Sequence, residues 1–179
     1  MEIRFAALDL AHIDGLRYEA AALAFFDDER PLRGAAGLCD WRLLGRVSRH
    51  VERGWIDGHA GEVSILPARP RLPFDKLVLF GLGSRDAFDA AAFDRVLGSM
   101  LDTLHGLKLR TFVIALPGRS AGVIAATDAV RAFAGVALDR GDFDEAVVLE
   151  EQDALKALPT VVDAERRRLR AVRELEAEG

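Results

Sequence analysis

Cysteine is nearly missing from this chain. Cys39 is the only one in 179 residues, so no disulfide can form within it. It stands beside Leu38 and Trp41 in a helical pattern, where a small, buried, inert thiol is expected, and such usage fits a reducing cytoplasm. Asparagine is absent altogether. No apolar run approaches the roughly 20 residues that a membrane-spanning helix needs. The opening MEIRFAALDLAHIDG, interrupted by Glu2, Asp9 and Asp14, lacks the apolar core of a secretory signal. A soluble, cytoplasmic protein with no membrane partner is therefore expected. An excess of positive charge is lacking too: 29 acidic against 24 basic residues leave a formal charge of −5, which repels phosphate backbones and argues against nucleic acid as a partner. His12, His50, His59 and His105 are far apart and show no metal-ligand spacing, so no metal is expected.

What is present is ordinary for a globular domain. Half of the residues are hydrophobic and 30% are charged, enough to build one core. Six short apolar segments read as strands: Ile3–Leu8, Ala21–Phe26, Glu62–Leu66, Leu77–Gly81, Thr111–Leu116 and Glu145–Leu149. LVLF and FVIAL are apolar on both faces, as in strands covered by helices on both sides. Helices are predicted between them. The first runs from about Gly34 to Arg53, with Trp41 read as buried. The second runs from about Asp86 to His105, capped by Ser84, with Phe93, Val96, Leu97, Met100, Leu101 and Leu104 on its buried stripe. The third runs from about Ser120 to Leu138. A last helix begins near Pro159 and carries only a narrow apolar stripe, Val162, Leu169 and Val172, on a charged rod, which suits a domain edge or a docking element better than a core. Strands alternating with helices predict one α/β domain. Residues 1–152 are expected to form the domain and residues 153–179 a charged C-terminal helix.

Three features could carry chemistry or binding. The loop after the fifth strand contains Gly118, Arg119, Ser120 and Gly122, glycines that let a ligand approach the backbone beside a positive charge. Gly81-Leu82-Gly83-Ser84 is a second strand-to-helix turn, but Asp86 and Asp89 would oppose an anion there. Arg42, Arg46, Arg49 and Arg53 are spaced along one face of the first predicted helix, either as a solvated stripe or as an interface for an acidic partner. The acidic pairs Asp27-Asp28 and Glu150-Glu151 read as solvated charge at turns and strand ends.

Three blocks, in this order and spacing, resemble the N-terminal domain of the leucyl aminopeptidases: ERPLRGAAGLCDWRLLG from Glu29 to Gly45, GHAGEVSILPARPRLPFDKLVLFGLGSRDAFD from Gly58 to Asp89, and TFVIALPGR from Thr111 to Arg119. The resemblance covers most of the chain up to about Glu150. It implies a three-layer α/β/α fold similar to macro domains, around a mixed, mostly parallel central sheet, with the helix of residues 153–179 connector-like. In the family this domain leads through a connecting helix to a separate catalytic domain, which holds two metal ions and carries an N-T-D-A-E-G-R-L-like stretch. These 179 residues contain no such stretch. The resemblance thus implies a non-catalytic domain without cofactor or metal. Its role would be assembly or regulation, by self-association or by docking on another protein such as a separately encoded peptidase. The macro-like fold also implies an alternative, a binder of ADP-ribose or another nucleotide at the Gly118–Gly122 loop, although a chain without asparagine lacks the usual ribose contacts. An aminopeptidase in its own right is the third and weakest reading.

Overall fold

A single six-stranded sheet in the order β1-β6-β5-β2-β4-β3 organises the chain. The computed structural model describes residues 1–178. The strands are β1 (Glu2–Ala7), β2 (Ala20–Phe25), β3 (Val63–Pro67), β4 (Lys76–Gly81), β5 (Thr111–Ala115) and β6 (Glu145–Glu150). All six stand within a residue or two of the segments expected from apolar patterning. Every neighbouring pair is parallel except β3 with β4. The sheet is mixed and mostly parallel, as expected.

Side chains alternate between two cores because strand side chains point to opposite faces with period two. On one face Ala22, Val78, Phe80, Phe112, Ile114 and Val148 pack under α4 (Ala90–Gly106), α5 (Ala126–Arg140) and the start of α6 (Leu158–Glu178). On the other, Leu23, Phe25, Leu77, Leu79, Val113 and Val147 pack under α1 (Leu10–Gly15), α2 (Gly34–Arg42), α3 (Arg46–Glu52) and the connection that carries Ala68, Leu72 and Phe74. The result is three layers with the sheet in the middle.

Three helical expectations are corrected, and one helix is added. The predicted helix from Gly34 to Arg53 is two helices, because the chain turns at Leu44 and Gly45, both at positive φ (57° and 73°). Asp40, near the end of α2 and 7% exposed, holds the next helix start. Its carboxylate accepts from the N–H groups of Val47 (2.7 Å) and Ser48 (3.3 Å) and from the Ser48 hydroxyl (2.5 Å), which satisfies donors a helix start otherwise leaves open. The second predicted helix begins later: Arg85–Ala87 is a 3-10 turn, and Asp89 rather than Ser84 caps α4, accepting from Ala92 N–H at 2.7 Å. The third begins at Ala126, after a separate 3-10 turn over Arg119–Ala121. The six-residue α1, capped by Asp9, had no sequence expectation, since a single buried residue, Ile13, gives no periodicity to read.

The last helix divides in two. Leu158 and Val162 are buried in the core with α5, and Glu165 is buried beside Gly135, whose missing side chain leaves room for that carboxylate. From Arg170 to Ala177 α6 is exposed, Leu175 to 71%. No described helix is long and apolar enough to cross a membrane.

Candidate functional site

Ligand crevices of open α/β sheets lie beyond the carboxyl ends of the strands, where successive connections leave to opposite faces. In this fold that point falls between the parallel neighbours β2 and β5. The chain leaving β2 enters α2 on one face, and the chain leaving β5 enters α5 on the other. The Gly118–Gly122 loop and the first turn of α2 therefore meet above the sheet.

They meet closely. Gly34 opens α2 at φ +54°, and a Cβ there would sit 2.9 Å from the Cβ of Ser120. Gly118, at φ +72°, packs against Phe88, whose ring would lie 2.7 Å from an added Cβ. Both positions require glycine for conformation and for space. Arg119 does not project into an opening. Its Nε donates to Glu150 Oε2 at 2.7 Å, its Nη2 to Glu150 Oε1 at 2.8 Å, and its Nη1 to the Ile124 carbonyl. Glu150 is only 2% exposed, and its Oε1 also accepts from Glu151 N–H at 2.9 Å. The expectation that Glu150 is solvated charge is corrected: as the last residue of β6 it points into the crevice, where the arginine neutralises it. This bidentate hydrogen bonding holds the Arg119 guanidinium above its ordinary pKa.

A second internal carboxylate stands at the same helix start. Glu29, 2% exposed, accepts from Arg33 N–H at 2.7 Å. The positive end of α2 thus faces carboxylates belonging to the chain itself. The cavity left between Arg33–Ala36, Ala115, Leu116, Arg119, Ser120 and Glu150 measures about 30 Å³, the volume of one water in the liquid and far below the roughly 300 Å³ at which small-ligand sites begin.

The Gly81–Ser84 turn is also occupied by its own backbone. Leu82 N–H donates to Phe25 O (3.0 Å), Gly83 N–H to Gly58 O (2.9 Å), and Gly83 O accepts from Asp27 N–H (3.0 Å). These bonds stitch three loops together.

The arginine stripe is rearranged by the break at Leu44-Gly45. Arg42, on α2, pairs with Asp14 and lies 5.0 Å from the ring centre of Trp41. Arg46 donates to the Pro67 carbonyl at 3.2 Å, and Arg49 to the Leu44 carbonyl at 2.5 Å. Arg53 lies 5.2 Å from the ring centre of Trp55, which also stacks on His50. The four arginines do not share one continuous helix face. Trp41, expected to be buried, is 63% exposed; Leu44 and Trp55 are exposed to similar degrees. Helical spacing could not reveal this, because the chain turns three residues after Trp41. Two exposed tryptophans and the exposed Leu44, with arginines against the rings, make the α2–α3 segment the surface most unlike a solvated helix face.

Cys39 is 1% exposed, and burial together with nearby Asp14 and Asp40 pushes its thiol pKa up to about 12. The thiol is inert in the folded chain, as expected. The histidines stay apart: His12 is held by Asp9, His59 lies near Asp27 and Asp57, and His105 near Asp142. Among the described residues no three His, Cys, Asp or Glu side chains form a group that could hold a metal ion.

The profile of the cytosol aminopeptidase family, N-terminal domain, matches residues 22–144. A probable cytosol aminopeptidase of Pseudomonas syringae pv. tomato is 30% identical over 97 residues, 54% of this chain and 20% of that protein. One from a Picosynechococcus strain is 29% identical over 135 residues, covering 74% of this chain and 26% of its own length. The chain thus spans about a fifth to a quarter of these relatives, and the matches lie in their N-terminal domain. Among solved structures, a tomato leucine aminopeptidase superposes with a TM-score of 0.65 at 14% identity, over 93% of this chain and 35% of that one. A Trypanosoma brucei macrodomain in complex with ADP superposes with a TM-score of 0.67 at 16% identity, over 89% and 67%. The macro-domain-like fold expected from the sequence is the one observed.

Proposed function

Because this chain belongs to the N-terminal-domain family of the cytosol aminopeptidases, we propose that it serves as a non-catalytic assembly or regulatory module, acting by self-association or by docking on another protein such as a separately encoded peptidase. The observation that carries this reading is the α2–α3 segment, where Trp41, Leu44 and Trp55 stand exposed with Arg42 and Arg53 against the indole rings. Tryptophan and arginine are the residues that dominate protein interfaces when they become buried. A cytoplasmic setting accords with the lone, buried Cys39.

Light scattering on the purified chain, together with affinity capture and identification of what is retained, tests the proposal. A cytosol aminopeptidase or further copies of the chain, retained by the wild type and lost with Trp41→Ala or Trp55→Ala, is the expected result. A strict monomer that retains neither overturns it.

A second reading, a binder of ADP-ribose or a related nucleotide at Gly118, Arg119, Ser120 and Gly122, draws on the likeness to a macrodomain in complex with ADP. The Arg119–Glu150 pair and the small cavity weigh against it. Calorimetry with ADP-ribose decides it. Heat that disappears with Arg119→Ala would favour it, and no heat at high ligand concentration rules it out.

A further inference from the structure

The two edges of the sheet are treated differently. β1 carries charge along its length, with Glu2 and Arg4 both exposed, as edge strands usually do to discourage pairing with other chains. β3 carries none: from Val63 to Pro67 it reads VSILP. It is the antiparallel end strand, and among the described residues no further strand pairs with it. Its ladder to β4 is joined through Glu62, whose carbonyl accepts from Gly81 N–H at 2.9 Å. With period-two alternation, Ser64 and Leu66 also turn their backbone groups toward β4, and those of Val63 and Ile65 turn outward. The side chains of Val63 and Ile65 are themselves 39% and 47% exposed, on the face shared with Phe80 and Val78.

We propose that β3 is a self-association edge, on which a second copy of this chain pairs its own β3 antiparallel to form one continuous twelve-stranded sheet about a two-fold axis. A self-complementary surface is what a two-fold interface requires, and this strand has one register that supplies it. With the axis at Ser64, Val63 lies opposite Ile65 of the second copy and Ile65 opposite its Val63. All four residues then exchange their outward N–H and C=O groups, four hydrogen bonds in total. The β-branched side chains form a cross-strand cluster on one face. Pro67, which has no N–H to offer, falls opposite Gly61 at the end of the ladder, where it leaves no pairing broken. Gly61 also borders a groove of about 340 Å³ with Phe80 and Leu82 in its floor and Val96 on its wall, which would receive that proline ring. The strand's lack of charge favours an equally uncharged strand over an acidic or basic peptide. A five-residue edge buries less than the roughly 1,200 Å² of a standard stable interface, so the dimer is expected to dissociate at micromolar concentrations.

The inference rests on the assembly reading above for its purpose but not for its geometry, and the two fail separately. Sedimentation equilibrium on the intact chain from about 1 to 200 µM, spanning the micromolar range expected for an interface of this size, reads the association. Ile65→Lys, checked for native circular dichroism, should weaken it at least about tenfold by burying a charge in the new ladder. Ser64→Cys supplies an independent readout. In the proposed register the two Ser64 residues form a non-hydrogen-bonded pair with Cα atoms about 4.5 Å apart, within disulfide reach, and buried Cys39 contributes no background. Mild oxidation should therefore give a reducible covalent dimer of Ser64→Cys and none of Ser99→Cys on α4. A wild type that stays monomeric throughout overturns the inference, while capture of a peptidase would still support the assembly reading. A wild-type dimer that Ile65→Lys leaves intact and Ser64→Cys does not cross-link overturns the edge and leaves self-association through another surface.

Discussion

Arg119 and the arginines of the α2–α3 segment are the same residue type on the same fold, and the structure uses them in opposite ways. Arg119 sits where an α/β sheet would offer a cation to a ligand, yet its fork is satisfied by Glu150 and the Ile124 carbonyl. Its side chain is 19% exposed and its partner's 2%. Arg42 and Arg53 lie over tryptophan rings that are almost two-thirds exposed. An arginine enclosed with a carboxylate is structure, since its charge cannot reach a partner. Arg53 on the exposed indole of Trp55 leaves both groups for whatever arrives, whereas Arg42 already pairs with Asp14 and leaves chiefly the ring of Trp41. Position in the fold alone would have ranked the two sites the other way round.

The strongest way to break this contrast is to remove one half of the enclosed pair. Arg119→Ala leaves Glu150 buried and uncompensated and is expected to cost about 3 kcal/mol, a fall in Tm of roughly 6–12 °C for a domain of this size. Thermal or urea unfolding reads it. The paired replacement Arg119→Met with Glu150→Leu should recover most of that loss, because an apolar pair needs no desolvation repaid. If the single variant is neutral, Arg119 is available after all and the crevice becomes a candidate ligand site again.

Next in size is Asp40→Ala. The carboxylate satisfies two N–H groups and a hydroxyl at the start of α3, so its loss should cost about 1–2 kcal/mol. Urea unfolding should show it, and the α3 arginines should lose their fixed placement with it.

Alkaline pH sharpens the same division between enclosed and open groups. Cys39 and Tyr18 both have pKa values raised to about 12 in the folded chain, each chiefly by burial, with Asp14 adding to the first and a hydrogen bond to Glu145 to the second. A raised folded pKa means the native state holds its proton more tightly than the unfolded chain. That stability is complete below the unfolded values, about 8.5 for Cys and 10 for Tyr. It is lost as pH rises through them toward 12. Denaturant midpoints should fall steadily above about pH 9, with Cys39→Ala removing the earlier part of the fall. A thiol reagent at pH 8 should label Cys39 only after unfolding.

The smallest effect on stability is expected at the open site. Trp41→Ala and Trp55→Ala should each change stability by no more than about 0.5 kcal/mol, as exposed substitutions do. They should nevertheless weaken partner capture by roughly thirtyfold if the rings are buried in the complex. A large loss of stability with no change in capture would reverse the comparison.

Much of the fold is legible in the sequence. LVLF and FVIAL, apolar on both faces, are central strands because only a sheet covered twice can bury both sides of a strand. The helix boundaries were less legible. Nothing in the spacing of Leu38, Trp41, Leu44 and Val47 reveals the turn at Leu44-Gly45, since a seven-residue helix restarted after a short break keeps nearly the same apolar rhythm. Asp40, seven residues before Val47, holds the start of the second helix only once the chain has turned. Glu150 was misread for a related reason. At the end of a strand a glutamate has two faces to choose from, and its partner Arg119 lies 31 residues earlier.

By itself the sequence determined the strands, their alternation with helices, the inert thiol and the resemblance to an aminopeptidase N-terminal domain, because these depend on short-range periodicity, burial and local motif order. Only the tertiary structure decided which charged groups are enclosed and which are free. It closed the Gly118–Gly122 crevice with Arg119 and Glu150, put Trp41 in solvent, and left the uncharged strand β3 at an open edge. Each of these outcomes depends on which distant segments the sheet order brings side by side, and residue patterning along the chain carries no record of that order.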